Sequence, residues 1–359
     1  MNPNIGQLLA PFALSFAFVF LLTPLVIILA KKIGIIDDPK NKTHPKIIHT
    51  YPVPRGGGLS IFAGIALTSL IFLPIDKHLI GILLGLTVLV VLGLIDDRYN
   101  INPYKRLAVQ FLAAAIPIAT GIGIAFMNNP FGGIIDLTQP RFYFQLFGQQ
   151  KSIWILSDIF ALFWMVFIMN ILNMGAKGVD GQLPGVVSIS ALTIALLSLK
   201  HSADITQWPV IILALIISGS YLGFLPWNIF PQKIMPGFSG SIIAGYSLAV
   251  LSILSTTKVG TLLVVLGIPM VDTGYTIIRR VLSGKSPVWG DAGHLHHKLL
   301  NAGFNKKQVS YFYWGFTVVL GIVSLYLNTS FKFYTIIGVV LFVGGLLLWL
   351  TYNPKRIKK

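Results

Sequence analysis

The chain contains no cysteine, and its eleven acidic residues are all aspartate, so glutamate is missing as well. Without thiols there is neither a disulfide framework nor a thiolate metal site, and any metal must be held by oxygen or imidazole. Charge of either sign is scarce, 11% of residues against about 25% in typical soluble proteins. No polar interval of soluble-domain size separates the apolar runs, so a single helical bundle is expected and no second domain is visible. The first apolar segment is too long for a removable signal peptide and lacks its charged start and small-residue cleavage site. What remains is apolar, 55% of the chain, in segments long enough to cross lipid. The expectation is an all-α fold: a polytopic integral membrane helical bundle, one transmembrane domain over residues 1–359.

Eleven spans are expected, at 8–30, 56–74, 78–95, 105–125, 153–172, 185–199, 208–225, 240–256, 259–278, 309–328 and 332–351. Of the 27 Lys and Arg, 21 lie in 31–55, 96–106, 173–184, 226–239, 279–308 and the C-terminal tail. The positive-inside rule makes that side cytoplasmic, with the N-terminus outside and the C-terminus inside. The formal charge of +16 suits anionic lipid headgroups or phosphate-bearing substrates, though part of it simply sets orientation.

The unusual polar residues fall on the same side. Asp96 and Asp97 close the third span, Asn170, Asn173 and Asp180 the fifth, Asn228 follows the seventh, and Asp272 with His294, His296 and His297 follows the ninth. The outer connection 126–152, with its Asn-Asn-Pro and Gly-Gly turns, has no comparable cluster. Asp272 at the mouth of a span, with three histidines beyond it, points to the handling of something polar and anionic.

Each motif has a chemical and a structural reading. Two adjacent carboxylates at a membrane edge bind a hard cation or take a proton, or else are a solvated helix end. Neighbours on a helix point about 100° apart, so both can ligate one ion only if the helix stops there, as Pro103 suggests. Glycines after Arg55 (Gly56, Gly57, Gly58) let backbone N–H groups approach a phosphate at a helix N-terminus, with Lys46 and His49 upstream; the alternative is close helix packing. The three histidines would need additional ligands to make a zinc site, which the sequence does not identify, and fit phosphate pairing better; a surface helix from near Asp291 to Gly303 is compatible with either role.

In order, these segments resemble the polyprenyl-phosphate N-acetylhexosamine-1-phosphate transferases, the superfamily that includes phospho-N-acetylmuramoyl-pentapeptide transferase. The likeness runs through Pro52-Val-Pro-Arg55-x-Gly-Gly, Asp96-Asp97, Asn170-x-x-Asn173, Gly178-Val-Asp180-Gly181, Phe224-Leu-x-x-Asn228-x-x-Pro231, Gly267-Ile-Pro-x-x-Asp272-Thr and His294-Leu-His296-His297. The His-x-His-His form is similar to the branch using UDP-N-acetylglucosamine or a related UDP-N-acetylhexosamine.

The resemblance implies attack by a polyprenyl phosphate on the sugar-linked phosphorus of a UDP-sugar, releasing UMP, with Mg2+ (or Mn2+) neutralising the diphosphate. It implies Asp96 and Asp97 at the metal or as base, with Asp180 a third metal ligand. Asn173, Asp180 and Asn228 would hold nucleotide or sugar. Lys46, His49, Arg55, Lys177, Asp272 and the histidines would complete the substrate site. The implied partners are UDP-N-acetylhexosamine, polyprenyl phosphate and membrane lipid, not nucleic acid; relatives can be homodimers. The implied location is the plasma or inner membrane, multi-pass, with a cytoplasmic active site.

Two departures stand out. Phe238 occupies the place of an aspartate that is a principal metal ligand in the family, and the family's Asp-Gly-x-Asp-Gly reads Lys177-Gly178-Val179-Asp180-Gly181, with one extra residue after Asn173. Two negative charges are lost and one positive is gained, which weakens a carboxylate metal site while Lys177 is placed to neutralise phosphate. Three readings follow: an active transferase with a modified metal site, a degenerate binder of lipid phosphate or UDP-sugar, and a transporter of anionic solutes. The last requires broken or polar helices at mid-membrane and an internal repeat, and the sequence gives no sign of them.

Overall fold

The computed structural model describes residues 5–41, 49–146, 148–255, 258–286 and 293–352. Apolar segments in lipid must satisfy every backbone N–H and C=O internally, so they become helices. They are α1 (Ile5–Lys32), α2 (Gly58–Phe72), α3 (Lys77–Tyr99), α4 (Pro103–Ala119), α5 (Ile155–Ile171), α6 (Gln182–Leu199), α7 (Gln207–Asn228), α8 (Gly237–Leu254), α9 (Lys258–Val265), α10 (Gly267–Leu282), α11 (Leu295–Asn301), α12 (Lys306–Tyr326) and α13 (Thr329–Tyr352).

Each of the eleven expected segments contains a helix, but the fourth, expected to reach residue 125, ends at Ala119. Among the described residues eight helices are long and apolar enough to cross a membrane, and a ninth crossing is made if the bent pair α9–α10 counts as one. At 15 residues α2 is about 22 Å long, short of the roughly 30 Å hydrocarbon core.

The expected ninth span is not one rod. It breaks at Leu266, and its halves are bent by 81°. Pro269 has no N–H for the carbonyl four residues back, and its ring crowds that position, which explains a break here. Asp272 therefore lies inside α10 rather than at the mouth of a span.

The fold is also not purely helical. Ile36–Asp37 (β1) pairs with Val53–Pro54 (β2), Phe126–Asn128 (β3) with Ile134–Asp136 (β4), and Arg141–Leu146 (β5) with Gln149–Trp154 (β6), all antiparallel. In the β5–β6 hairpin Arg141 is paired with Trp154 and lies over its ring at 4.4 Å. The expected turns between β3 and β4 are present: Asn129 N–H bonds Gly133 O at 3.0 Å, and Gly132 N–H bonds Asn129 O at 3.1 Å.

Helix α8 is the axis of the bundle, buried along 94% of its apolar window, whereas α1 and α13 are buried along 22% and 11% of theirs. Small residues bring backbones together around it. A Cβ on Gly219 or Gly223 of α7 would lie 2.3 or 2.4 Å from the Phe12 or Phe16 carbonyl of α1, and one on Gly93 of α3 would lie 2.3 Å from Ser239 Cα. Close approach of this kind is how helices associate in lipid, where burial of apolar surface offers little net drive. Its effect here is to seat the C-terminal end of α3 against the N-terminal ends of α2 and α8.

Candidate active site

Helix α3 continues past both carboxylates to Tyr99 and ends at Asn100, whose φ of 49° is left-handed. The helix does not stop at the pair, so Asp96 and Asp97 diverge and do not chelate one ion. Asp96 turns back to its own C-terminal loop, accepting from Ile101 N at 2.9 Å and pairing with Arg106 at 3.3 Å. Asp97 turns to α8, accepting from Phe238 N at 2.7 Å, Ser239 N at 3.3 Å and Ser239 Oγ at 2.8 Å. It also pairs with Arg55 at 3.2 Å. Asp97 is thus the missing N-cap of α8, whose own N-cap residue is Pro236, and a carboxylate there complements the helix dipole.

The glycines after Arg55 follow the packing alternative. Gly57 N and Gly58 N donate to Met235 O and Pro236 O at 3.0 and 3.2 Å, so these N–H groups bind protein rather than phosphate. His49 is buried, with Nε2 3.3 Å from the Asp37 carbonyl, and none of the contacts described for it reaches another expected site residue. Lys46 lies outside the described residues.

The extra residue after Asn173 is taken up by a π turn over Leu172–Ala176 at the end of α5. Such turns absorb a single insertion without ending the helix and are frequent at functional sites. Beyond it, Lys177 Nζ donates to Asn173 Oδ1 at 2.8 Å and lies 3.4 Å from Gly237 O, while Ser241 Oγ donates to the same Asn173 oxygen at 2.9 Å. Phe238 is buried between cations: Arg106 stands 5.0 Å from its ring centroid and Lys177 Nζ 6.0 Å.

Asn228 is shared out by the next loop. Its Oδ1 accepts from Gly181 N at 3.0 Å and its Nδ2 donates to Ile234 O at 2.9 Å and Gln232 Oε1 at 3.1 Å. Gly181 adopts φ 81°, a conformation that L side chains rarely adopt. The turn places Asp180 in a buried position with Oδ1 3.6 Å from Lys306 Nζ, while Oδ2 is buried with no hydrogen-bond partner. Burial raises the Asp180 carboxyl above its usual range and Lys306 opposes this. The neighbouring Tyr51 hydroxyl is also raised, by burial first and then by the Asp180 charge.

The histidine segment is not a surface helix. His294 precedes α11, and the side chains of His294, His296 and His297 are all buried; Asp291 lies outside the described residues. Asp272 holds the segment, accepting from Leu295 N at 2.7 Å and facing His294 Nδ1 at 3.0 Å. The His294 and His296 rings stack at 5.6 Å, and His297 is tilted against His296 at 4.3 Å. A Cβ on Gly178 would lie 2.2 Å from His296 Cγ, so the Lys177–Asp180 turn rests directly on that ring.

The expected residues therefore form one network: Arg55–Asp97–α8, then Gly237–Lys177–Asn173, then Gly178–His296 and Asp272, then Asp180–Gly181–Asn228. Among the described residues no contact joins His49 to it. Sequence reasoning missed Arg106, Lys306, Ser239, Ser241 and Gln182. Arg106 and Lys306 each stand in the first turn of a helix, where the macrodipole disfavours a cation unless a carboxylate faces it; that was the available signal. Gln182 ties the turn, accepting from Gly178 N and Val179 N at 2.9 and 3.1 Å and donating to Gly175 O at 3.1 Å.

The carboxylates leave few oxygens open to a divalent ion. Among the described residues no three His or Asp side chains are grouped in one place around a common point. Asp97 is saturated, Asp96 faces a guanidinium, and only Asp180 presents a buried oxygen without a partner.

The model of glycosyl transferase family 4 matches residues 79–256. Over 319 residues the chain is 33% identical to a Bacillus subtilis (strain 168) protein named "Probable undecaprenyl-phosphate N-acetylglucosaminyl 1-phosphate transferase", covering 86% of this chain and 81% of the relative. It is 28% identical to the decaprenyl-phosphate N-acetylglucosaminephosphotransferase of Mycobacterium tuberculosis (strain ATCC 25618 / H37Rv), covering 78% and 72%. It is also 28% identical to the undecaprenyl-phosphate alpha-N-acetylglucosaminyl 1-phosphate transferase of Escherichia coli (strain K12), covering 81% and 77%. With its polar motifs joined in one site and this similarity extending over most of its length, the chain belongs to glycosyl transferase family 4, within the polyprenyl-phosphate hexosamine-1-phosphate transferase superfamily.

Proposed function

We propose that this protein is a membrane phosphotransferase that moves N-acetylhexosamine-1-phosphate from a UDP-sugar to a polyprenyl phosphate. The observation that carries the reading is the cation-rich network itself. Arg55, Arg106, Lys177 and Lys306 surround Asp96, Asp97 and Asp180 at the ends of helices that are distant in sequence. The relatives named for the N-acetylglucosaminyl reaction make N-acetylglucosamine the first sugar to test.

In the reaction, an oxygen of the lipid phosphate forms a bond to the sugar-linked phosphorus, the bridging P–O bond of the diphosphate breaks, and its electron pair leaves with UMP. A phosphate monoester is largely ionised near pH 7, so no strong base is needed. Asp97 then acts by position: it fixes the start of α8 and Arg55. Lys177 and Arg106 face the diphosphate, Asp180 and Asn228 hold the turn that receives the nucleotide, and the Asp272-anchored histidines donate to phosphate oxygens.

The bundle crosses the plasma or inner membrane eleven times in this reading, with α2, α4 and the bent pair α9–α10 counted as crossings. The N-terminus lies outside and the site opens to the cytoplasm in this reading, which the cation asymmetry supports. The test is incubation of the full-length protein in lipid nanodiscs with sugar-labelled UDP-N-acetylglucosamine and undecaprenyl phosphate. Labelled lipid and UMP are expected in equal amounts; binding of both substrates without product favours the degenerate alternative.

A further inference from the structure

At the end of the bundle opposite the candidate active site, Lys332 stands in the first turn of α13. The other end of that helix is held at the histidine segment, where Thr351 Oγ1 accepts from Lys298 Nζ at 2.6 Å. Between residues 332 and 351 a helix rises about 28 Å, so Lys332 is remote from the network described above. It is nonetheless buried, 8% exposed, with Nζ donating to Thr261 Oγ1 in the first turn of α9 at 2.9 Å. A hydroxyl takes one of the three ammonium hydrogens and brings no charge.

A second cation acts on it. Lys200, at the end of α6, is near enough to bear on Lys332 electrostatically; its own Nζ donates to Leu325 O at 2.6 Å and lies 4.6 Å from the Tyr326 ring centroid. Among the described residues no carboxylate pairs with either lysine, and Asp204, the acid nearest Lys200 in sequence, accepts instead from Thr206 N and Oγ1 at 3.0 and 2.7 Å. The first turns of α9 and α13 add the positive ends of two helix dipoles. An anion offsets the cost of burying an ammonium in such a place. Inward from Lys332, the same face of α13 continues at four-residue spacing through Ile336, Val340 and Gly344. With Val264 and Gly267 these line an apolar groove of about 420 Å³ between α13 and the bent pair α9–α10. A Cβ on Gly344 would meet nothing within 4 Å, so the groove has room there.

We propose that this is a binding site for an anionic phospholipid, with its phosphate on Lys332 and Lys200 and one acyl chain in the groove below. In the orientation given above, the lipid belongs to the outer leaflet and is distinct from the acceptor of the transfer. The two halves of the site select one chemistry between them. A free phosphate would use the lysines and leave the groove, and a lipid whose headgroup carries its own ammonium would use the groove and gain little from the lysines.

The test places the full-length protein in phosphatidylcholine nanodiscs with a trace of phosphatidylglycerol or phosphatidylcholine carrying a photoreactive diazirine in one acyl chain. Cross-linked residues are located by mass spectrometry. Labelling of the groove walls at 263–271 and 336–340 is expected to be at least about tenfold stronger with phosphatidylglycerol. Lys332→Met should bring the two lipids within about threefold of each other, and Lys332→Arg should keep the preference. Gly344→Leu, which fills the groove and leaves both lysines in place, should lower phosphatidylglycerol labelling at least about threefold. Excess inorganic phosphate should leave the labelling unchanged. Equal labelling by the two lipids overturns the proposal, as does an undiminished preference in Lys332→Met with the wild-type melting temperature. Full labelling in Gly344→Leu overturns the placement of the chain, and loss of labelling in inorganic phosphate assigns the lysines to a free anion and overturns the lipid site.

Discussion

Asp97 offers the sharpest distinction between chemistry and architecture in this site. Its carboxylate is fully buried and accepts three hydrogen bonds from the first turn of α8, at 2.7, 2.8 and 3.3 Å, besides pairing with Arg55 at 3.2 Å. Asp97→Asn keeps the shape but has one acceptor oxygen, and its amide hydrogens meet donors. Removing one member of a buried pair typically costs about 3–5 kcal/mol, because the other charge is left uncompensated. That is a large part of an ordinary stability of about 5–15 kcal/mol.

Arg55→Leu should cost less, about 1–2 kcal/mol, since the carboxylate keeps its three donors in α8. The double-mutant cycle should return a coupling of about 1–3 kcal/mol. Unfolding in mixed detergent micelles, followed by tryptophan fluorescence, measures all four proteins. If Asp97→Asn unfolds with wild-type stability yet has lost turnover, the side chain serves the reaction and its assignment as the cap of α8 is wrong.

Two further predictions concern the turn 177–181. Burial raises the Asp180 carboxyl above its unfolded value of 3.8, so between those two values the native state holds more protons, and this group's contribution to stability falls as pH rises through the window. Asp180→Asn should flatten stability over that window and remove the acid limb of turnover. Lys306→Met, which takes away the opposing cation, should move the limb to higher pH; a pH series of unfolding and activity checks both. Gly178→Ala should lower turnover about a hundredfold while the protein stays folded, because the added methyl displaces the His296 ring; near-wild-type turnover would show that the ring's position is unimportant.

The positions of the helical segments and the set of polar motifs were legible because hydrophobic runs and ionisable residues are local in sequence. What each motif does was not, because it is decided by partners far along the chain. The role of Asp97 depends on residue 55 and residues 238–239, and the reading of the Arg55 glycines on the carbonyls of Met235 and Pro236. The break at Leu266 had its signal in Pro269, hidden by the overall apolarity of the segment. The extra residue after Asn173 was visible as an insertion, but only the backbone reveals the π turn that turns it into a lysine hydrogen-bonded to Asn173.

The central claim, transfer of a sugar phosphate rather than of a sugar or of nothing, is tested most directly by following phosphorus. UDP-N-acetylglucosamine labelled at the sugar-linked phosphorus is given to the nanodisc-embedded protein with undecaprenyl phosphate. All transferred label should appear in the lipid and none in the released nucleotide, which should be UMP. Label leaving in UDP, or remaining in unconverted substrate while both substrates bind, would contradict the account.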